Sequence, residues 1–171
     1  GYRRQRQMCI RDSLNAGGRL GCSDLGVQIL TNSDPDIADT LAMQIDRLNT
    51  ERRAEEAAVR IAAEQMAEEK LAAQPDLPVL VLAKQNWHEG VIGIVAGRLK
   101  DAYHRPVIII SFDAQGRGKG SARSVAGFSI GDQILAACEL GHLNSGGGHD
   151  MAAGLSLDEA QLADFEMFLI D

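Results

Sequence analysis

No apolar run in these 171 residues approaches the roughly 20 that a membrane-spanning helix needs, and no charged-then-apolar segment opens the chain. A membrane or exported protein is therefore not expected, and a cytoplasmic one is. Cysteine is scarce: Cys9, Cys22 and Cys138 are odd in number and scattered, which suits reduced thiols better than disulfides or a zinc site. Histidine and acids do not cluster at ligand spacing either, since His104 and His142 are isolated and Asp150 follows His149 with no repeat. The chain is thus expected to hold no metal. Basic residues are missing from one end: residues 125–171 carry eight acids and no Lys or Arg, whereas 84–124 carry seven Lys or Arg and three acids. With a net charge of −7, any contact with nucleic acid has to be local, on the face bearing Lys84, Arg98, Arg105, Lys119 and Arg123.

What is present suffices for one domain with a core plus a connecting element, 45% of the residues being hydrophobic. Residues 1–13 read as a non-native prefix, because Arg3-Arg4-Gln5-Arg6-Gln7 is basic and unpatterned; the other reading is a basic arm on nucleic acid. Leu14 to Gly21 is a glycine-rich loop, and Ser23 then caps a short helix through Leu30. Asp34-Pro35-Asp36 supplies an N-cap, a proline at the first helical position and an acidic first turn, which predicts a helix to about Ala73. Ile37, Leu41, Ile45 and Leu48 form its apolar stripe, Val59, Ala62 and Met66 resume it, and Arg52 and Glu55 interrupt it. Glu51, Arg53, Glu55, Glu56 and Arg60 are expected to form solvated pairs. Residues 34–74 so read as a connecting strut, with a coiled-coil dimer as the second reading.

Gln74-Pro75-Asp76-Leu77-Pro78 is the clearest linker, and 75–171 follow as a domain. Val79–Ala83 and Val107–Ser111 are continuous apolar runs that read as central strands buried on two faces. Between them Val91–Tyr103 reads as a helix with Val91, Ile92, Val95 and Leu99 inward, which makes a parallel crossover. Phe112–Lys119 reads as a hairpin turning at Asp113-Ala114-Gln115-Gly116. Ser129 or Gly131-Asp132 starts a helix with Ile134, Leu135 and Cys138 inward; a short strand Leu155–Leu157 and a last helix from Asp158 with Leu162, Phe165 and Phe168 complete the chain. The end at Asp171, without cap or tail, is expected to be a truncation, as is the start.

Two motifs carry chemistry. Gly146-Gly147-Gly148-His149 followed by Ala152-Ala153-Gly154 reads as a loop whose peptide N–H groups can approach an anion, with the His149 ring as a further donor, or else as a plain tight turn. Gly118-Lys119-Gly120-Ser121-Ala122-Arg123-Ser124 alternates as a strand, with Ser121 and Arg123 on one face able to hold phosphate oxygens; the alternative is an edge strand bearing solvated charge. Trp87 and His88 fall at a strand end and a helix start. There His88 suits a structural or substrate-positioning role, and Trp87 either stacks on a base or plugs the core.

In order and spacing, Trp87-His88-Glu89-Gly90-Val91-Ile92-Gly93-Ile94-Val95-Ala96, Arg105-Pro106, Gly120-Ser121-Ala122-Arg123-Ser124 and Gly146-Gly147-Gly148-His149 with Ala152-Ala153-Gly154 resemble the DHHA1 domain of the DHH phosphoesterases. Within that superfamily the sequence is most similar to the RecJ-like single-stranded-DNA-specific exonucleases. Leu14-Asn15-Ala16-Gly17-Gly18-Arg19-Leu20-Gly21 resembles the end of the catalytic DHH domain, so that 14–33 would be its C-terminal remnant. The resemblance implies an α/β fold, a mixed β-sheet with flanking helices preceded by a long connecting helix. It also implies phosphodiester hydrolysis by Mn2+ or Mg2+ held by Asp and His side chains in an intact parent enzyme. The name-giving Asp-His-His run is absent, so no catalytic residue and no metal ligand are expected in this chain. What the resemblance implies here is the DNA-binding part of a 5′→3′ exonuclease of DNA repair and recombination, lacking its DHH catalytic domain, with single-stranded DNA bearing a 5′ end as partner. Ser121 and Arg123 would grip a phosphate near that end. Gly146, Gly147, Gly148 and His149 would hold the strand beside the scissile bond, Arg19 would line the channel, and Trp87 and His88 would position substrate. Short-oligonucleotide and cyclic-dinucleotide phosphodiesterases share the glycine loop and remain an alternative. So does a non-catalytic module whose acidic C-terminal third binds a basic protein.

Overall fold

The computed structural model describes residues 24–31 and 33–170; the expectations for the 1–13 prefix, for the 14–21 loop with Arg19 and for the Ser23 cap lie outside the described residues. The chain forms two compact units, Gly1–Ala57 and Ala58–Asp171. In the first, helix α1 spans Asp24–Thr31, and helix α2 starts at Pro35 and runs on to Ala73 in the second. Asp34 opens α2 as expected, its Oδ1 accepting from the Asp36 amide at 3.0 Å and its carbonyl from the Ala38 amide at 3.0 Å.

The α2 stripe departs from the expectation. Leu41, Ile45, Asn49, Arg52, Glu56, Val59, Ala63 and Ala67 are all buried, at steps of three and four residues, whereas Glu55 is exposed. Arg52 and Glu56 are thus neither an interruption nor part of a solvated set: the Arg52 Nη1 donates to Glu56 Oε2 at 2.8 Å, and its Nε and Nη2 donate to Asn49 Oδ1 at 3.3 and 3.1 Å. A guanidinium this well furnished with acceptors can occupy a core position, because its desolvation is offset within the helix itself.

In the second unit a five-stranded mixed sheet is ordered β1-β2-β3-β5-β4. Strands β1 (Leu80–Gln85) and β2 (Val107–Phe112) are parallel, joined by helix α3 (Glu89–Tyr103), as the apolar runs predict. β1 nevertheless lies at the sheet's edge, so only β2 is a central strand of the two; β1 reads as apolar because helices cover both faces over its first residues. A tight hairpin leads into β3 (Arg117–Arg123), which is antiparallel to β2 and stands in the middle of the sheet, not at an edge. The Asp113 carboxylate holds that hairpin. Its Oδ1 accepts from the Gln115 and Arg117 amides at 2.9 Å each, Arg117 pairs with Oδ2 at 2.8 Å, and Gly116 takes φ 76°.

Helix α4 (Ile130–Glu139) follows, then β4 (Ser145–His149), β5 (Ala152–Asp158), a single 3-10 turn capped by Asp158, and helix α5 (Leu162–Ile170). On α4, Ile134 and Ala137 are buried whereas Leu135 is exposed, contrary to the inward placement expected of it. The glycine run is not a loop: Ser145–His149 forms the second edge strand, paired antiparallel with β5 through an Asp150-Met151 turn. One core lies between the sheet and α2 and α3, built on Val59, Ala63, Leu80, Leu82, Val95 and Ile109; the other lies against α4 and α5, built on Ile108, Ile110, Ile134, Leu155, Leu157 and Phe165.

Candidate nucleic-acid interface

Alternation along β3 divides its side chains between these two cores. Gly118, Gly120 and Ala122 face the α4–α5 side, where a Cβ on Gly118 would meet Phe112 at 2.5 Å and one on Gly120 would meet Leu155 at 2.7 Å. Lys119, Ser121 and Arg123 face the α3 side. There Gly93 of α3 makes room for them, because a Cβ on it would stand 2.9 Å from Ser121 Oγ and 3.0 Å from the Arg123 guanidinium. A glycine inside a helix costs about 1 kcal/mol relative to alanine, and this close approach is the reason for it. Arg123 Nη1 donates to Ser121 Oγ at 3.0 Å and to the Ala122 carbonyl at 2.7 Å, which fixes guanidinium and hydroxyl as one half-buried group.

The register carries this face outward. Arg123 pairs with Ala152, and Ala152 with His149; in the next row Ser121 pairs with Gly154, and Gly154 with Gly147. Arg123 and His149 therefore share one cross-strand row, two strand spacings or about 10 Å apart, with nothing larger than alanine between them. Gly147 and Gly154 form the floor. Neither has a positive φ, and a Cβ on either would meet nothing within 4 Å. The other glycines have packing reasons: a Cβ on Gly146 would lie 2.4 Å from Ile134 Cγ2, and one on Gly148 would lie 2.3 Å from the Ala152 carbonyl. Chemically this is a shallow trough with a guanidinium and hydroxyl on one side, an imidazole on the other and a floor of bare peptide, which is suited to a sugar–phosphate backbone.

The remaining sequence candidates stand elsewhere. Trp87 is buried in the α2–α3 core, its carbonyl accepting from Ser111 Oγ at 2.6 Å, so it plugs the core and offers no stacking face. His88 caps α3, its Nδ1 accepting from the Gly90 amide at 3.0 Å. Arg105 leaves the expected basic face: its guanidinium donates to the Tyr103, Pro75 and Leu77 carbonyls and ties the linker to the end of α3. Lys119 stays on that face, paired with Glu89 Oε2 at 2.9 Å. Gly93 and Glu89 escaped the sequence reading as site residues; for Gly93, glycines at 90, 93 and 97 of one helix were the available signal. Among the described residues no three of His, Cys, Asp or Glu converge as a metal would require, and no helix is long and apolar enough to cross a membrane.

Comparisons with known proteins bear on the family and the fold. The model of the DHHA1 domain matches residues 76–171. Among curated relatives, the single-stranded-DNA-specific exonuclease RecJ of Haemophilus influenzae is 41% identical over 162 residues, covering 92% of this chain and 28% of its own length. The RecJ of Escherichia coli K12 is 38% identical over 156 residues, covering 90% and 27%. Of solved structures, RecJ from Thermus thermophilus in complex with Mg2+ is 34% identical with a TM-score of 0.77, over 92% of this chain and 24% of that one. Exonuclease RecJ bound to manganese is also 34% identical, with a TM-score of 0.75 over 93% and 38%. The chain thus spans little more than a quarter of the length of these curated relatives. By the match over residues 76–171, by identity and by fold, it belongs to the DHHA1 domain family.

Proposed function

We propose that this chain is the strand-binding DHHA1 part of a RecJ-like exonuclease, which degrades single-stranded DNA from its 5′ end in the cytoplasm during repair and recombination. The observation that carries the reading is the shared face of Ser121, Arg123 and His149 around the Gly147–Gly154 floor. On this reading Ser121 and Arg123 grip a phosphate near the 5′ end, the planar guanidinium fork matching its oxygens. His149 and the bare peptide of Gly147 hold the strand where it passes toward the catalytic half. Gly146 and Gly148 contribute by letting β4 lie close to α4 and β5. His88 positions substrate indirectly, by ordering the start of α3.

The parent's hydrolysis needs Mg2+ or Mn2+ to activate water and neutralise charge at phosphorus. No described residues of this chain fit such a site, so its own contribution is to bind and orient the strand. The test is a chimaera: the chain replaces the matching segment of the Escherichia coli relative, and release of nucleotides from a 5′-phosphorylated single strand is followed. Activity in the chimaera, abolished by Arg123→Ala while the protein still melts cooperatively, is the expected result. A folded chimaera that neither binds nor degrades the strand would overturn the assignment.

A further inference from the structure

Lys119 is the next residue along β3 on the face that carries Ser121 and Arg123. A two-residue step on a strand covers about 6.8 Å, comparable with the separation of successive phosphates in an extended single strand. Because the Arg123 guanidinium folds onto Ser121, those two residues make one position and Lys119 stands as the next cation in line. Its side chain is 67% exposed and bonded to Glu89, itself 56% exposed, at the first turn of α3.

We infer that Lys119 is a second phosphate subsite, one nucleotide along from the Ser121–Arg123 position, and that Glu89 is its counter-ion when no strand is bound. The inference rests on the reading of this face as the strand-binding one. An exposed Lys–Glu pair is weak and is screened by salt, so an arriving phosphate, with more acceptor oxygens and higher charge, displaces the carboxylate. Until then Glu89 neutralises Lys119, which keeps a protein of net charge −7 from adding a standing polyanion site beside its trough. A competing account is purely structural: Glu89 suits the positive end of the α3 dipole, and the pair clips the helix to the sheet. The two accounts differ in sign. If the pair only clips, removing either partner loosens the site and weakens binding; if it is a counter-ion, removing Glu89 strengthens binding.

The experiment is a fluorescence-anisotropy titration of the full chain with a 5′-phosphorylated oligothymidylate at several salt concentrations. It uses the wild type, Lys119→Ala, Glu89→Gln, the double variant of these two, Arg123→Ala, and Lys100→Ala as a control for loss of one charge elsewhere on α3. Lys119→Ala is expected to weaken binding and to lower the slope of log affinity against log salt by about 0.7, the share of one phosphate contact on a single strand, while Lys100→Ala leaves the slope unchanged. Glu89→Gln is expected to tighten binding, by up to about five-fold, and by less when Lys119 is absent. If Arg123→Ala weakens binding but Lys119→Ala leaves the slope unchanged, or if Glu89→Gln weakens binding or acts equally in both backgrounds, this inference alone is overturned. If the wild type does not bind, or Arg123→Ala binds as it does, the strand-binding reading fails and takes the inference with it.

Discussion

Arg123 concentrates the chemistry of the trough: one guanidinium, held by Ser121 Oγ and the Ala122 carbonyl, presents an oriented cation at the wall of a floor without side chains. Phosphate contacts carry no base information, so Arg123→Ala should weaken single-strand binding by a similar factor for oligothymidylate, oligoadenylate and mixed strands. A loss confined to one sequence, in parallel titrations, would contradict it. The four glycines around the floor divide more sharply. Gly147→Ala and Gly154→Ala add a methyl into open space at ordinary backbone angles, so each should leave stability unchanged or raise it by about 0.4–1 kcal/mol while reducing strand affinity. Gly146→Ala drives a methyl into Ile134 and should cost about 1–3 kcal/mol in urea unfolding, as should Gly148→Ala against Ala152 and Ala153. Sequence alone offered all the glycines as equals, because what separates them is the neighbour each would strike, and that neighbour comes from another element.

Helix α2 shows how a polar residue can keep an apolar register. Positions 41, 45, 49, 52, 56, 59, 63 and 67 are one buried stripe, and its middle is the Asn49–Arg52–Glu56 set. Glu56→Ala would leave a buried guanidinium short of its carboxylate and should destabilise by about 3–5 kcal/mol, whereas the paired change Arg52→Met with Glu56→Leu should be close to neutral in urea titrations. The β2–β3 hairpin gives a pH signature. Hydrogen bonds from the Arg117 amide, followed by its guanidinium and the Gln115 amide, hold the Asp113 carboxyl below its ordinary value of 3.8. A carboxyl with a lowered folded value adds stability that is present above 3.8 and is lost as pH falls through that lowered value. Melting temperature should therefore fall more steeply in the wild type than in Asp113→Asn as pH drops from 3.8 through that lowered value. The cap of α2, the β1–α3–β2 crossover and this hairpin were legible because proline, aspartate and runs of Ile and Val act locally. Strand β4 was not, since Ser-Gly-Gly-Gly-His has too few side chains for a two-residue period to show. Nor was the place of β1 at the sheet's edge, because strand order is settled by pairing between distant segments.

At the scale of the molecule, the charge asymmetry and the fold serve the same end. Lys119 and Arg123 stand on β3 beside α3, while eight acids lie in 125–171, so the proposed strand binding would be confined to one trough on a chain of net charge −7. The motifs were visible in the sequence, and so was the pairing of Ser121 with Arg123 on one face. Their convergence with His149 was not, because it depends on β5 standing between β3 and β4. The most direct measurement is an anisotropy titration of the chain with a 5′-phosphorylated single strand over a salt series, beside the Arg123→Ala/His149→Ala variant, with unfolding curves for both. The wild type is expected to bind with an affinity that falls as salt rises, and the variant to lose this binding while still unfolding cooperatively. Equal binding by both, or none by a folded wild type even at low salt, would contradict the strand-binding reading.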